Sequence, residues 1–205
     1  MQVIQVRIAT VFMLDPDIIM LIKGLTEKGY ITARVRPTLE GATVVFIEPP
    51  NVIAGKGTVR IDYDFARRVL GIESPSSKEV INALNEVEDL LKEGGIDIEK
   101  ALVPYEAVVI AEESLKPRFS DNLYNFEDVL GFNLRSAGIS LVMEGGDPSS
   151  NKWFHMNILP LWSAYKTGDK ENRYRITITY RGEKLKLLSF LENLENILKR
   201  MFSEV

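Results

Sequence analysis

The stretch Arg173-Tyr174-Arg175-Ile176-Thr177-Ile178-Thr179-Tyr180-Arg181 alternates without a break. Tyr174, Ile176, Ile178 and Tyr180 fall on one side of an extended chain. Arg173, Arg175, Thr177, Thr179 and Arg181 fall on the other. A period of two over nine residues predicts a strand with one face on the core and one toward solvent, as in an antiparallel sheet covered on a single side. Immediately after it, Leu187, Leu191, Leu194, Leu198 and Met201 recur at helical spacing, which predicts a helix over about 184–202.

Working back along the chain, strands are expected at about 104–112, 134–144 and 153–161, and a short helix near 126–131 between Asn125 as cap and Gly131 as stop. The first half has a similar order. Residues 3–12 alternate around Ile4, Val6, Ile8 and Phe12. Asp15-Pro16 opens a helix whose stripe is Ile18, Leu21, Ile22 and Leu25, and Gly29 closes it. Strands are expected at 31–37, at 42–48 as a central strand apolar on both sides, and at 57–65. Pro49-Pro50-Asn51 and Gly55-Lys56-Gly57 punctuate the connection. A helix over about 77–93 starts with a capping box of Ser76 and Glu79 and ends at Gly94-Gly95.

Each half thus reads strand, helix, three strands, helix. The fold class expected is α+β: two pseudo-duplicated β-α-β-β-β-α halves, residues 1–95 and 103–205, forming one curved antiparallel sheet with helices on one face. The linker at 94–104 joins them. This order of elements resembles that of the TATA-binding-protein-like saddle folds. The likeness is one of topology across most of the chain; the paired Phe wedges of that family have no counterpart at the strand ends here.

Composition bounds the function classes. Hydrophobic residues at 45% and charged residues at 26% suit a chain with a real core and argue against disorder. The absence of Cys excludes disulfides and thiolate zinc sites. The N-terminus lacks the pattern of a signal peptide, and no apolar run is long enough for a membrane helix, so a cytoplasmic protein with no membrane partner is expected. Scarce Gln with abundant Ile, Val, Glu and Lys is a thermophile-like composition. The net charge of −4, spread evenly over both halves, gives no global attraction for nucleic acid.

If the apolar sides of the strands meet the helices, the opposite sides collect Arg7, Arg34, Arg36, Arg60, Arg135, Arg173, Arg175 and Arg181, eight of the chain's twelve arginines, on a common surface. Thr32, Thr43, Thr58, Thr177, Thr179, Trp153 and His155 interleave. Arg forks fit phosphate or carboxylate, and Trp anchors bases or protein partners. The same residue types also shield an ordinary solvated sheet. The binding residues expected are Arg34, Arg36, Arg60, Arg173, Arg175, Arg181, Trp153 and His155, acting in protein–protein interaction or self-association, with nucleic-acid binding through the same face as the alternative.

Catalytic signals are sparse. His155 is the only histidine, and no Ser lies in a nucleophile elbow. A ligand or enzymatic site around His155 and Trp162, with Tyr165 and Tyr124 nearby, is the third reading. Asp62 with Asp64, or Glu112-Glu113 with Asp121, supply only pairs of metal-type ligands. The glycine clusters at 55–57 and 145–146 read as turns, and 144–152 as a flexible hairpin loop. A non-catalytic binding protein without cofactor or metal is expected.

Overall fold

A computed structural model describes residues 2–39, 41–47, 49–114, 125–129, 132–135, 138–161 and 173–203 of the 205-residue chain. Among them the strands are β1 (Gln2–Phe12), β2 (Ile31–Thr32), β3 (Arg34–Thr38), β4 (Gly41–Val45), β5 (Val52–Lys56), β6 (Val59–Asp64), β7 (Val69–Ser74), β8 (Leu102–Ser114), β9 (Asn125–Val129), β10 (Phe132–Arg135), β11 (Ile139–Val142), β12 (Trp153–Pro160) and β13 (Arg173–Gly182). The helices are α1 (Ile18–Glu27), α2 (Ser77–Glu93), α3 (Ile98–Ala101), α4 (Lys184–Glu192) and α5 (Leu194–Ser203). The molecule is a mixed α+β protein built on a large antiparallel sheet.

Nine strands form that sheet in the order β11-β12-β13-β8-β1-β7-β6-β5-β2. The two longest strands, β1 and β8, pair at its middle, from Gln2↔Glu112 to Phe12↔Leu102. The sheet is open, with β11 and β2 at its edges. Alternation decides which face is dry. Val6, Ile8 and Phe12 of β1, Ile61 and Tyr63 of β6, Ala107 and Val109 of β8, and Ile176 and Ile178 of β13 are buried in one core with Leu21 and Leu25 of α1, Leu84 and Leu91 of α2, Leu187 of α4 and Leu198 of α5. Each Val, Leu, Ile or Phe side chain among them contributes about 1.5–3 kcal/mol when taken fully out of water. No helix among the described residues is long and apolar enough to cross a membrane.

Several elements differ from expectation for identifiable reasons. The strand expected at 31–37 breaks at Ala33, whose N–H reaches the Ile53 carbonyl at 2.8 Å. The chain then leaves the main sheet as a separate β3–β4 hairpin, and Ile31 is 75% exposed. The run at 42–48 is therefore not a central strand: β4 pairs with β3 alone in a two-stranded sheet. Pro37 in β3 and Pro49-Pro50 just beyond β4 lack the N–H that a central strand needs on both sides. The main sheet instead takes β5, from the segment read as connection, and β7, whose Leu70, Ile72 and Ser74 are buried.

The helix expected near 126–131 is the strand β9, paired with β10 from Asn125↔Arg135 to Val129↔Phe132. A cap and a stop only a turn and a half apart cannot offset the cost of helix nucleation, whereas pairing satisfies the backbone directly. The strand expected at 134–144 is divided into β10 and β11, in different sheets. The final helix breaks at Asn193, whose side-chain amide donates to the Ser189 carbonyl at 2.9 Å. The cap of α1 is Asp17, accepting from the Met20 N–H at 3.0 Å, while Asp15 pairs with Arg68. Ser76 caps α2, but the other half of the expected capping box is rearranged. The Glu79 carboxylate accepts from the hydroxyls of Ser74 (2.6 Å) and Thr58 (2.5 Å), and the Ser74 hydroxyl accepts from the Ser76 N–H. Those two hydroxyls hold the Glu79 carboxyl below the ordinary glutamate range.

Candidate binding face

The face of the large sheet opposite the core is laid out by strand register. One row runs across seven strands: Arg60, Glu73, Arg7, Val108, Thr179, His155 and Val142. Beside it run Gln5, Ile110, Thr177, Asn157 and Ser140. On the far side of the first row lie Asp62, Gly71, Ala9, Glu106, Arg181 and Trp153. A further row carries Glu112, Arg175 and Leu159.

This face carries Arg60, Arg173, Arg175, Arg181, Trp153 and His155 together, along with Arg7. Arg34 and Arg36 stand in the β3–β4 hairpin, a sheet separate from the nine-stranded one. Arg135 lies in β10, in the other two-stranded sheet, and Trp162, Tyr165, Tyr124 and Asp121 lie outside the described residues.

The cations on this face are neutralised across strands. Arg7 reaches over β7 and donates through Nη1 and Nη2 to both oxygens of Asp62, at 2.5 and 2.8 Å. Its guanidinium occupies the space where a side chain at position 71 would stand: a Cβ there would lie 2.0 Å from Nη2, so only glycine admits the crossing. The hydrogen bond to Asp62 raises the Arg7 pKa against the opposing effect of burial. Glu73 sits 3.6 Å from Arg7 and 3.9 Å from Arg60, and accepts from the Gln5 amide at 2.7 Å. Glu112 accepts from Arg173 at 3.1 Å and Arg175 at 3.0 Å.

Arg181 joins two structures. Nε and Nη2 donate to Glu106 at 3.0 and 2.5 Å, while Nη1 donates to the carbonyls of Pro148 and Ser150, both at 3.0 Å. The loop 144–152 is thereby fastened to the sheet rather than free. Within it, Asp147 accepts from the backbone N–H and then the hydroxyl of Ser149, which pull its carboxyl below the ordinary aspartate range. His155 is half-buried, 2.9 Å from the Ser140 hydroxyl, with the Trp153 ring centroid 6.3 Å away.

Between the charged flanks lies a neutral, half-buried band of Val108, Ile110, Thr177, Thr179 and Asn157. Asp62 is occupied by Arg7, and Asp64 accepts from the N–H groups of Ala66 and Arg67, which gives both carboxylates roles other than holding a cation. No group of three or more His, Asp or Glu side chains suited to a metal converges among the described residues. Glu106 and Glu73, which complete the ion pairs, carry no mark in the sequence. Their only signal is parity, since each occupies an outward position in its strand.

No protein-family model matches this chain, and no curated protein matches it in sequence.

Proposed function

We propose that the outer face of the nine-stranded sheet is a docking surface for protein, and that its simplest occupant is a second copy of this chain. One observation carries the reading: Val108, Ile110, Thr177 and Thr179 form a charge-free centre, and the flanking guanidinium groups are paired with Asp62, Glu73, Glu106 and Glu112. Interfaces have such an uncharged centre within a polar rim. The guanidinium forks of Arg7 and Arg181 are already engaged by Asp62 and Glu106, which makes these two poor phosphate ligands and weighs against nucleic acid.

The two parts, 1–95 and 103–205, are read as duplicated halves in a saddle arrangement like that of the TATA-binding-protein-like folds. Strand order supports this. From the central seam it runs β1, β7, β6, β5 on one flank and β8, β13, β12, β11 on the other. Each flank therefore starts at its own first strand and returns from its last.

Sedimentation velocity across micromolar concentrations tests the docking proposal. The expected result is a reversible dimer that Ile110→Lys and Thr177→Lys abolish while leaving the fold intact. Its stability should depend weakly on salt, because the rim charges are already paired. A monomer throughout that range overturns self-association. Retention on single- or double-stranded nucleic acid that falls steeply with salt would favour the alternative.

A further inference from the structure

A second site lies away from the outer face. A cavity of about 670 Å3 opens between α2, α3, the start of β8 and the junction of β13 with α4. That volume lies within the span of about 300–1,000 Å3 common for small-molecule sites. Ile98, Leu102, Val103, Pro104 and Leu185 line it with apolar surface. Val103 and Leu185 are 39% and 80% exposed.

Its polar end is built around a buried carboxylate. Glu88 of α2 is 1% exposed. The Tyr105 hydroxyl donates to Glu88 Oε1 at 2.9 Å, and the Lys184 ammonium donates to Oε2. Lys184 Nζ also stands 6.0 Å from the centre of the Tyr105 ring. Burial, with Glu88 beside it, pushes the Tyr105 hydroxyl far above the ordinary tyrosine range, so it stays protonated.

A donor inventory decides what this end can bind. Both Glu88 oxygens accept, and the single Tyr105 proton is committed to Glu88. Lys184 has three protons and spends one on Glu88. Its side chain remains 30% exposed and lines the cavity. The remaining capacity is thus cationic N–H, held in place from behind. The other charges at the rim are largely engaged: Lys92 with Asp89 at 3.3 Å and Glu183 with Lys186 at 2.9 Å, leaving the exposed Glu99.

We propose that this cavity binds a small organic acid, its carboxylate on the Lys184 ammonium and its apolar body against Ile98, Leu102, Pro104 and Leu185. Glu88 and Tyr105 are positioning residues: they fix the ammonium and leave its outward protons for the ligand. This site is independent of the outer face.

The test is titration of the full chain with octanoate, octanol and octylamine, followed by backbone amide shifts. Octanoate is expected to bind saturably, with shifts concentrated at 102–105 and 182–185. Octylamine is expected not to bind there, and octanol to bind about tenfold more weakly for want of the charge-assisted contact. Lys184→Met alone would strand a buried carboxylate, so the double variant Glu88→Gln/Lys184→Met is used, with its fold checked by circular dichroism. It should lose about tenfold in octanoate affinity and close the gap to octanol. Leu185→Ser, at an exposed position, should cost about threefold. Absence of saturable octanoate binding, equal binding of octylamine, shifts centred on the outer sheet face, or unchanged affinity in the folded double variant each overturns the proposal.

Discussion

Thr10 lies on the core side of β1, is 2% exposed, and its hydroxyl has no hydrogen-bond partner among the described residues. An unsatisfied buried hydroxyl is destabilising, and valine keeps the β-branched shape. Thr10→Val is expected to stabilise the protein by about 1 kcal/mol, read as a rise in the denaturant midpoint at unchanged slope. Gly71 makes the opposite case. Gly71→Ala places a methyl where the Arg7 guanidinium lies and breaks the pair with Asp62. A loss of about 1–2 kcal/mol is expected, and Arg7→Met in the Gly71→Ala background should add little, since the two changes remove the same contact.

The start of α2 shows how an element depends on pH. Ser74 and Thr58 bind the charged form of Glu79, so its pKa is lower in the folded than in the unfolded chain. The sign follows. The stabilisation is present above the unfolded value and is lost as pH falls through the folded one. Hydrogen exchange at the first turn of α2 should accelerate as pH drops below the glutamate range, after correction for intrinsic rates, and Glu79→Gln should remove that dependence. Elements with a long, pure period were legible in the sequence: β13 and α2 stand where alternation or the apolar stripe puts them, and β1 does so from Val6 to Phe12, whereas a register shift at its start turns Val3 to the core and leaves Ile4 38% exposed. β4 was not, because a run apolar on both sides looks the same in a buried strand and in a half-covered hairpin. β7 was not expected: its apolar run of Val69, Leu70 and Ile72 is short and interrupted by Gly71, which makes room for an arginine from the next strand. At the candidate face, parity located the outward cations. Their neutralisation depends on register between strands distant in sequence, such as Arg181 against Glu106, which no local pattern encodes.

At the scale of the molecule, the seam between β1 and β8 joins residues 1–95 to 103–205 within one sheet. Ala107 and Val109 of β8 are fully buried beside Val6 and Ile8 of β1. Fragments 1–95 and 103–205 expressed separately would each present a long unpaired edge. Each alone is expected to aggregate or self-pair, and co-expression should restore a complex that copurifies. Two independently stable, monomeric fragments would show that the seam is dispensable.

The bridge from Arg7 to Asp62 spans β1, β7 and β6 and passes through one gap in the middle strand. A gap one side chain wide works as a keyhole for alignment. Were β1 to slide along β7 by two positions, keeping its apolar side inward, the gap at Gly71 would no longer lie under the path of the guanidinium to Asp62. A strand misaligned in this way forfeits the two-pronged contact with Asp62, so only the native alignment gives the guanidinium both carboxylate oxygens.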